Sequence, residues 1–308
     1  MEYRYIIYTV ENGIATIKLN RPEALNALNA DINSDIMAAL KETCSNPDVR
    51  VLILTGSDRA FAAGADVKEM AEADPEEARK LSSLAVEINN LLETMPIPTI
   101  AAVAGFAFGG GFEMPLACDF RICGSRTRLA FPECTLGIIP GANGCVRAAM
   151  LAGAAKAKEI VMLSDPANPI TGREAYDYGL CSWYVDGNAE LEKAAAEAKK
   201  AMKEAKRSGD EAAAAEAKKA FKAADAKASE AEYEAIMAKA QEIAKRLMSR
   251  PALALAAAKA AVNKAANGTI ADAKPAETDE FTALFATHDQ KEGMAAMIEK
   301  RAPVFTNS

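Results

Sequence analysis

The stretch that decides the fold is AAVAGFAFGGGFEMPLACDF, which runs from Ala101 to Phe120. Its first part is small and apolar, as in a buried strand, and it ends in Gly109, Gly110 and Gly111. Glycines between a strand and a helix permit positive φ and close backbone approach. They also leave the first amides of the helix unpaired, where they can stabilise an anion. For a bare glycine triplet, tight strand–helix contact without a ligand is the favoured explanation.

Two carboxylates stand out against their apolar surroundings. Glu113 follows the glycines directly, and Glu133 lies in FPECTLGIIPG, between an apolar strand end and a glycine turn. They are far apart in the chain, so only the fold can bring them together. Two acids at one site can divide acid and base roles, because burial and mutual repulsion raise at least one pKa. The alternative is one helix-capping acid and one surface acid.

A second strand-to-helix turn is FAAGADVKEM, which follows the apolar strand VRVLILTG. Its small residues leave room for a ligand against the backbone. Asp66 is a candidate helix cap and Lys68 a candidate phosphate contact. An ordinary strand-to-helix turn is the alternative.

Strands alternate with helices along the first part of the chain, which predicts a layered α/β fold. Residues 3–19 are predicted to form a β-hairpin that turns at Glu11-Asn12-Gly13. From Ala189 to about Ala240 the chain is nearly all Ala, Glu and Lys, interrupted at Ser208-Gly209-Asp210. That pattern predicts a helical hairpin, either a surface appendage or a lid or partner-binding element.

Composition limits the possible functions. The chain has 308 residues and a net charge of −7, which argues against a nucleic-acid partner. No apolar run approaches the ~20 residues of a membrane helix, and the N-terminus lacks the pattern of a signal peptide. No membrane association is therefore expected.

The cysteines and the single histidine bear on redox state and metal binding. Six cysteines without a CxxC pair predict buried free thiols and a cytoplasmic location. The cysteines are Cys44, Cys118, Cys123, Cys134, Cys145 and Cys181. His288 is the only histidine, so no metal site is expected. The chemistry is expected to rest on carboxylates, backbone amides or a cofactor.

Five segments together resemble the enoyl-CoA hydratase/isomerase family, also called the crotonase family. They are NRPEALNALN, FAAGADVKEM, VAGFAFGGGFEMPLACDFRIC, LAFPECTLGIIPG and THDQKEGMAAMIEKRAPVF, in the family's order and rough spacing. The resemblance implies a crotonase-like ββα spiral core over residues 1–187 that carries the acyl-CoA site. An inserted hairpin then occupies 188–235, and a helical oligomerisation region occupies 236–308. The similarity covers nearly the whole chain except about 188–235.

The resemblance also implies roles for individual residues. The amides of Ala65 and Gly110 match the two oxyanion-hole donors for the thioester carbonyl. Glu133 and Glu113 match the acid/base positions, with Glu133 delivering the proton at C2 and Glu113 activating water. Coenzyme A is part of the substrate, and no separate cofactor is expected. The residues that match coenzyme A contacts are Ala24, Leu25, Ala63, Gly64, Asp66, Val67, Lys68, Gly141 and Lys300.

Most simply, the resemblance implies an enoyl-CoA hydratase of fatty acid metabolism, because both acids are present. It further implies a homotrimer or a dimer of trimers, with Lys300 reaching a neighbouring subunit. An enoyl-CoA isomerase, an acyl-CoA hydrolase, and a catalytically silent assembly protein that uses the hairpin remain alternatives. The run Ala142-Asn143-Gly144-Cys145-Val146 departs from the usual hydratase pattern and leaves the acyl group open.

Overall fold

The computed structural model describes residues 2–308. Its strands are β1 (Ile6–Glu11), β2 (Ile14–Leu19), β3 (Val51–Thr55), β4 (Ala60–Ala62), β5 (Thr99–Val103), β6 (Phe106–Phe108), β7 (Phe120–Gly124), β8 (Arg128–Ala130), β9 (Ile170–Thr171) and β10 (Trp183–Val185). Its α-helices are α1 (Ala30–Ser45), α2 (Val67–Met70), α3 (Pro75–Thr94), α4 (Gly110–Ala117), α5 (Gly144–Leu163), α6 (Gly172–Asp177), α7 (Ala189–Ser208), α8 (Glu211–Met248), α9 (Ala252–Asn267), α10 (Ile270–Ala283) and α11 (His288–Glu299). Short 3-10 helices span Pro22–Ala24, Pro132–Leu136 and Leu284–Ala286.

The larger sheet has the order β1-β2-β3-β5-β7-β10. β1 and β2 form the predicted antiparallel hairpin, and every other neighbouring pair in this sheet is parallel. Asn12 and Gly13 both have positive φ at the hairpin turn, the geometry that two-residue hairpins favour. The predicted α/β class with a helical C-terminal region is confirmed.

The smaller sheet has the order β4-β6-β8-β9 and positions the candidate site. β4, β6 and β8 are parallel neighbours, with Ala62 opposite Ala107 and Phe108 opposite Ala130. Each is only three residues long. Sequence reasoning missed β4 and β6, because so short a run carries no readable periodicity.

Apolar side chains cover both faces of the larger sheet. One core includes Ile32, Ile36 and Leu40 of α1 and the fully buried Phe112 and Phe131. On the other face, α8 buries a set of residues against the strands: Ile236, Ala240, Ile243 and Ala244. The second half of α8 is therefore part of the core.

α7 and α8 form the predicted helical hairpin, which turns at Gly209 with a φ of +77°. Its base is anchored by Arg126 in the turn between β7 and β8. This guanidinium bonds to Glu192 at 2.9 Å, to Ser229 at 3.1 Å, and to Asp225. α8 continues without a break through residue 235. The predicted boundary between the hairpin and the C-terminal region therefore falls inside this one helix.

The hairpin tip, residues 201–220, is expected to be dispensable for folding. Its side chains are exposed except for a few half-buried positions, mostly alanine. Replacing it with a short Gly/Ser linker should shift the melting temperature by less than about 4 °C, the scale of a surface change. Calorimetry checks this, and sedimentation of the same variant tests assembly. If wild type forms an oligomer and this variant does not, the tip is instead an assembly element.

The cysteine prediction is wrong at several positions. Cys123 of β7 and Cys181 form a disulfide, because the loop before β10 returns to β7 and brings their Cα atoms within 6.4 Å. Cys118 is the buried free thiol, whereas Cys44 and Cys134 are exposed and Cys145 is half-buried.

Within residues 2–308, no helix combines the length and apolarity needed to cross a membrane.

Candidate active site

The candidate site lies where β4, β6 and β8 end. Because these strands are parallel neighbours, the turns that follow them meet at one edge of the small sheet. Ala65 follows β4, Gly110 follows β6, and Glu133 follows β8. A Cβ on Gly64 would lie 3.2 Å from the carbonyl oxygen of Phe108, so the first two turns are in contact.

The three glycines of the triplet differ in whether their surroundings would accept a side chain. Gly109 has a φ of +49°, and a Cβ there would lie 2.5 Å from Oε1 of Glu133. Gly111 lies so close to the carbonyl of Ala62 that no side chain fits. Gly110, the first residue of α4, has room for a Cβ, which would lie 3.4 Å from Cδ1 of Leu28. The steric argument therefore covers Gly109 and Gly111 but not Gly110.

Two backbone amides at this edge are unpaired. Within residues 2–308, the N–H groups of Ala65 and Gly110 donate to no protein acceptor. Their neighbours are engaged: Ala63 N–H donates to the carbonyl of Leu25 at 3.0 Å, and Asp66 N–H to that of Leu28 at 2.8 Å. Each free donor opens a helix or a turn before a helix, where it can bind a developing oxyanion.

Glu113 lies in the first turn of α4 and is only 3% exposed. Its Oε1 accepts from Ala142 N–H at 2.8 Å and from Gly144 N–H at 2.7 Å. Burial raises the pKa of this carboxyl, while the two amides and the nearby charge of Arg147 oppose that rise. The surroundings of Glu113 therefore partly stabilise its ionised form.

Glu133 lies in the 3-10 helix after β8 and is also buried. Burial raises its pKa to about 7; its own backbone N–H opposes the rise and the charge of Glu113 adds to it. Among the described residues, its buried Oε2 has no hydrogen-bond partner. The charge of Glu113 thus contributes to the raised pKa of Glu133, and the Glu133 carboxyl is partly protonated near neutral pH.

A buried asparagine and an arginine hold the loop beside β4. Asn26 has a φ of +58°, a region in which asparagine is enriched, and donates to the carbonyls of Ala60 and Phe61. Arg21 bonds to Asp66 at 3.0 Å, and Asp66 caps α2 as expected. Sequence reasoning missed both Arg21 and Asn26, although Asn26 interrupts an otherwise apolar run.

The model of the family described as "Enoyl-CoA hydratase/isomerase" matches residues 9–237 and 231–308. The chain belongs to this enzyme family. A crotonyl-CoA hydratase from Syntrophomonas wolfei is 35% identical, over 99% of this chain and 99% of that protein. A short-chain-enoyl-CoA hydratase from Clostridium acetobutylicum is 33% identical, over 98% of this chain and 97% of that protein.

The fold agrees with that membership. The crystal structure of an enoyl-CoA hydratase from Bacillus anthracis is similar with a TM-score of 0.79 at 29% identity. The similarity covers 99% of this chain and 100% of that chain. The crotonase-like fold expected from the sequence motifs is therefore confirmed.

The structure places most residues that match family positions around the same edge. Ala24 and Leu25 lie on the loop that bonds to Ala63, next to Gly64. Val67 and Lys68 are exposed on α2, immediately beyond Ala65.

Gly141 and Lys300 belong to other segments of the chain. Gly141 is exposed on the loop whose next residue, Ala142, bonds to Glu113. Lys300 caps α11 and is exposed; within the described chain its only hydrogen bond is between its N–H and the backbone of its own helix. Among the described residues, no hydrogen bond or ion pair links Lys300 to the other predicted residues.

Proposed function

We propose that the chain hydrates 2-enoyl-CoA thioesters, adding water across the 2,3-double bond. The observation that carries the proposal is the pair of buried carboxyls, Glu113 and Glu133, beside the free amides of Ala65 and Gly110. Relatives named crotonyl-CoA hydratase and short-chain-enoyl-CoA hydratase support a short acyl chain.

The surroundings of the two acids support separate roles. Glu113 receives two amide hydrogen bonds, which favour the carboxylate that a general base needs. Glu133 has an unpartnered oxygen and a pKa near 7, which favour the protonated form that a general acid needs. Glu113 then activates the water that attacks C3, and Glu133 delivers the proton to C2.

The thioester oxygen is held by the N–H groups of Ala65 and Gly110. Negative charge develops on this oxygen as the enolate forms, and preorganised donors stabilise it without reorganisation. One such donor contributes roughly 3 kcal/mol in comparable sites. All proton transfers are assigned to carboxyls, so the proposed reaction needs no cofactor apart from the coenzyme A of the substrate.

Coenzyme A is proposed to lie along the loop that carries Ala24 and Leu25, against the backbone of Ala63 and Gly64, with Val67 beside it. Lys68 is proposed to meet a phosphate, and Asp66, which bonds to Arg21, is proposed to border the coenzyme A as well. Gly141 is proposed to border the acyl end, and Lys300 to reach the site of a neighbouring subunit. The homotrimer or dimer of trimers and the cytoplasmic location stay predictions.

The proposal is tested with crotonyl-CoA. We expect loss of the conjugated-enone absorbance as 3-hydroxybutyryl-CoA forms. Conversion of a 3-enoyl-CoA without hydration would identify an isomerase instead, and release of free coenzyme A thiol would identify a hydrolase. Failure to retain the protein on immobilised coenzyme A, together with no turnover, would support the silent assembly protein.

A further inference from the structure

One face of α3 is polar where it meets the loop that binds Glu113. Ser82, Asn89 and Glu93 are spaced seven and four residues apart, so they project from the same side of the helix. Ser82 and Asn89 bond to residues 141–144, named here the Glu113 loop because the amides of Ala142 and Gly144 bond to that carboxylate. Glu93 binds Arg147, just beyond this loop. The polar side chains on this side of α3 therefore contact the Glu113 loop and Arg147.

Ser82 holds the first peptide unit of the Glu113 loop. Its hydroxyl donates to the carbonyl of Gly141 at 2.6 Å. That carbonyl belongs to the same planar peptide unit as Ala142 N–H, which donates to Glu113. Fixing the carbonyl therefore fixes the direction of the amide that binds the carboxylate.

Asn89 and Arg147 hold the next peptide units. The carbonyl of Ala142 accepts from Nδ2 of Asn89 at 3.0 Å and from Arg147 at 3.2 Å. The backbone N–H of Arg147 donates to Asn143 at 3.0 Å, in the peptide unit that carries Gly144 N–H. Glu93 in turn binds the Arg147 guanidinium at 2.7 Å.

Asn89 is 2% exposed, yet its Oδ1 has no hydrogen-bond partner among the described residues. Burying an amide with half of its capacity unused costs stability. The presence of an asparagine at this position is therefore explained by the hydrogen bond that its Nδ2 donates to the Glu113 loop.

We infer that Ser82 and Asn89 are positioning residues for Glu113: they hold the Glu113 loop so that two amides converge on one carboxylate oxygen. This inference rests on the proposed function for its kinetic consequences. The other charged and titratable groups that face Glu113 are Arg147, Glu133 and Cys145. Burial raises the pKa of the Cys145 thiol, so this group does not titrate in the acidic range.

The kinetic test uses Ser82→Ala and Asn89→Leu. Loss of these hydrogen bonds to the Glu113 loop should lower kcat about 10-fold for Ser82→Ala and more for Asn89→Leu, with KM nearly unchanged. The reason is that a small misplacement of a catalytic group lowers the rate by up to about 100-fold. Weaker amide bonds raise the pKa of Glu113, so the acidic limb of the kcat–pH profile should move to higher pH. Ser82→Thr keeps the hydroxyl and should restore both values. The neighbouring Ser83→Ala is the control, since Ser83 is exposed, and should match wild type.

A second readout does not need turnover. The Glu113 carboxyl is titrated by 13C NMR in protein labelled at glutamate Cδ, with its signal assigned by loss in Glu113→Gln. A higher pKa in Ser82→Ala, reversed in Ser82→Thr and absent in Ser83→Ala, would support the inference. An unchanged pKa would overturn it, whatever the reaction is. If wild type fails to hydrate crotonyl-CoA, the proposed function fails alone and this titration still decides the inference.

Discussion

Replacing Glu133 by glutamine is expected to lower kcat at least about 100-fold, the usual scale for a positioned acid or base. Glutamine keeps the shape of the side chain but cannot release a proton to C2. The measurement is crotonyl-CoA hydration by Glu133→Gln, with Glu87→Gln on the exposed side of α3 as a matched control. An unchanged rate would remove Glu133 from the mechanism.

The same variant should be more stable than wild type in alkaline buffer. The folded protein binds the Glu133 proton more tightly than the unfolded chain, because the pKa rises from 4.5 to about 7. Wild type therefore loses stability as the pH rises through this window, and the loss is complete above it. At pH 8, Glu133→Gln should gain up to about 3 kcal/mol in the free energy of unfolding, and almost nothing at pH 4. Urea melts at both pH values measure this; a destabilised variant at pH 8 would contradict the cost of burying this charge.

Replacing Gly110 by proline should lower kcat/KM by about 100- to 1,000-fold, the scale for one oxyanion-hole donor. Proline removes the N–H that no protein group uses, and the first position of a helix tolerates proline well. The fold should therefore survive the loss of the donor. Circular dichroism and the hydration rate, measured together, separate the two effects.

Gly110→Ala is the matched control for the proline variant. It retains the N–H and adds only a Cβ, whose nearest neighbour would be Leu28 at 3.4 Å. We expect its rate to stay within a few-fold of wild type. An equal loss in both variants would show a steric effect and argue against Gly110 as a donor.

Regular elements were readable from the sequence where periodicity or turn chemistry was strong. The β1–β2 hairpin follows from its Asn-Gly turn, and the helical hairpin from an interruption at Gly209. β4 and β6 were not predicted, because three residues carry no period and only their neighbours in the sheet define them. The Cys123–Cys181 bond was missed for a related reason, since it depends on where the chain returns.

The candidate site was readable only in part. Apolar context singled out Glu113 and Glu133, but their proximity depends on the parallel order of β6 and β8. Two residues that support loops of the site, Asn26 and Asn89, have short polar side chains whose partners are backbone carbonyls. Such contacts leave no fixed spacing in the sequence, so the structure was needed to find them.

The continuity of α8 makes it a suitable attachment point for a probe of the protein's motion. At 1.5 Å per residue its 38 residues span about 57 Å. One end lies against the larger sheet and the other carries the exposed turn at Gly209. A probe attached at that turn would be connected to the larger sheet by one continuous helix. Its orientation would therefore report rotation of the whole protein rather than local loop motion.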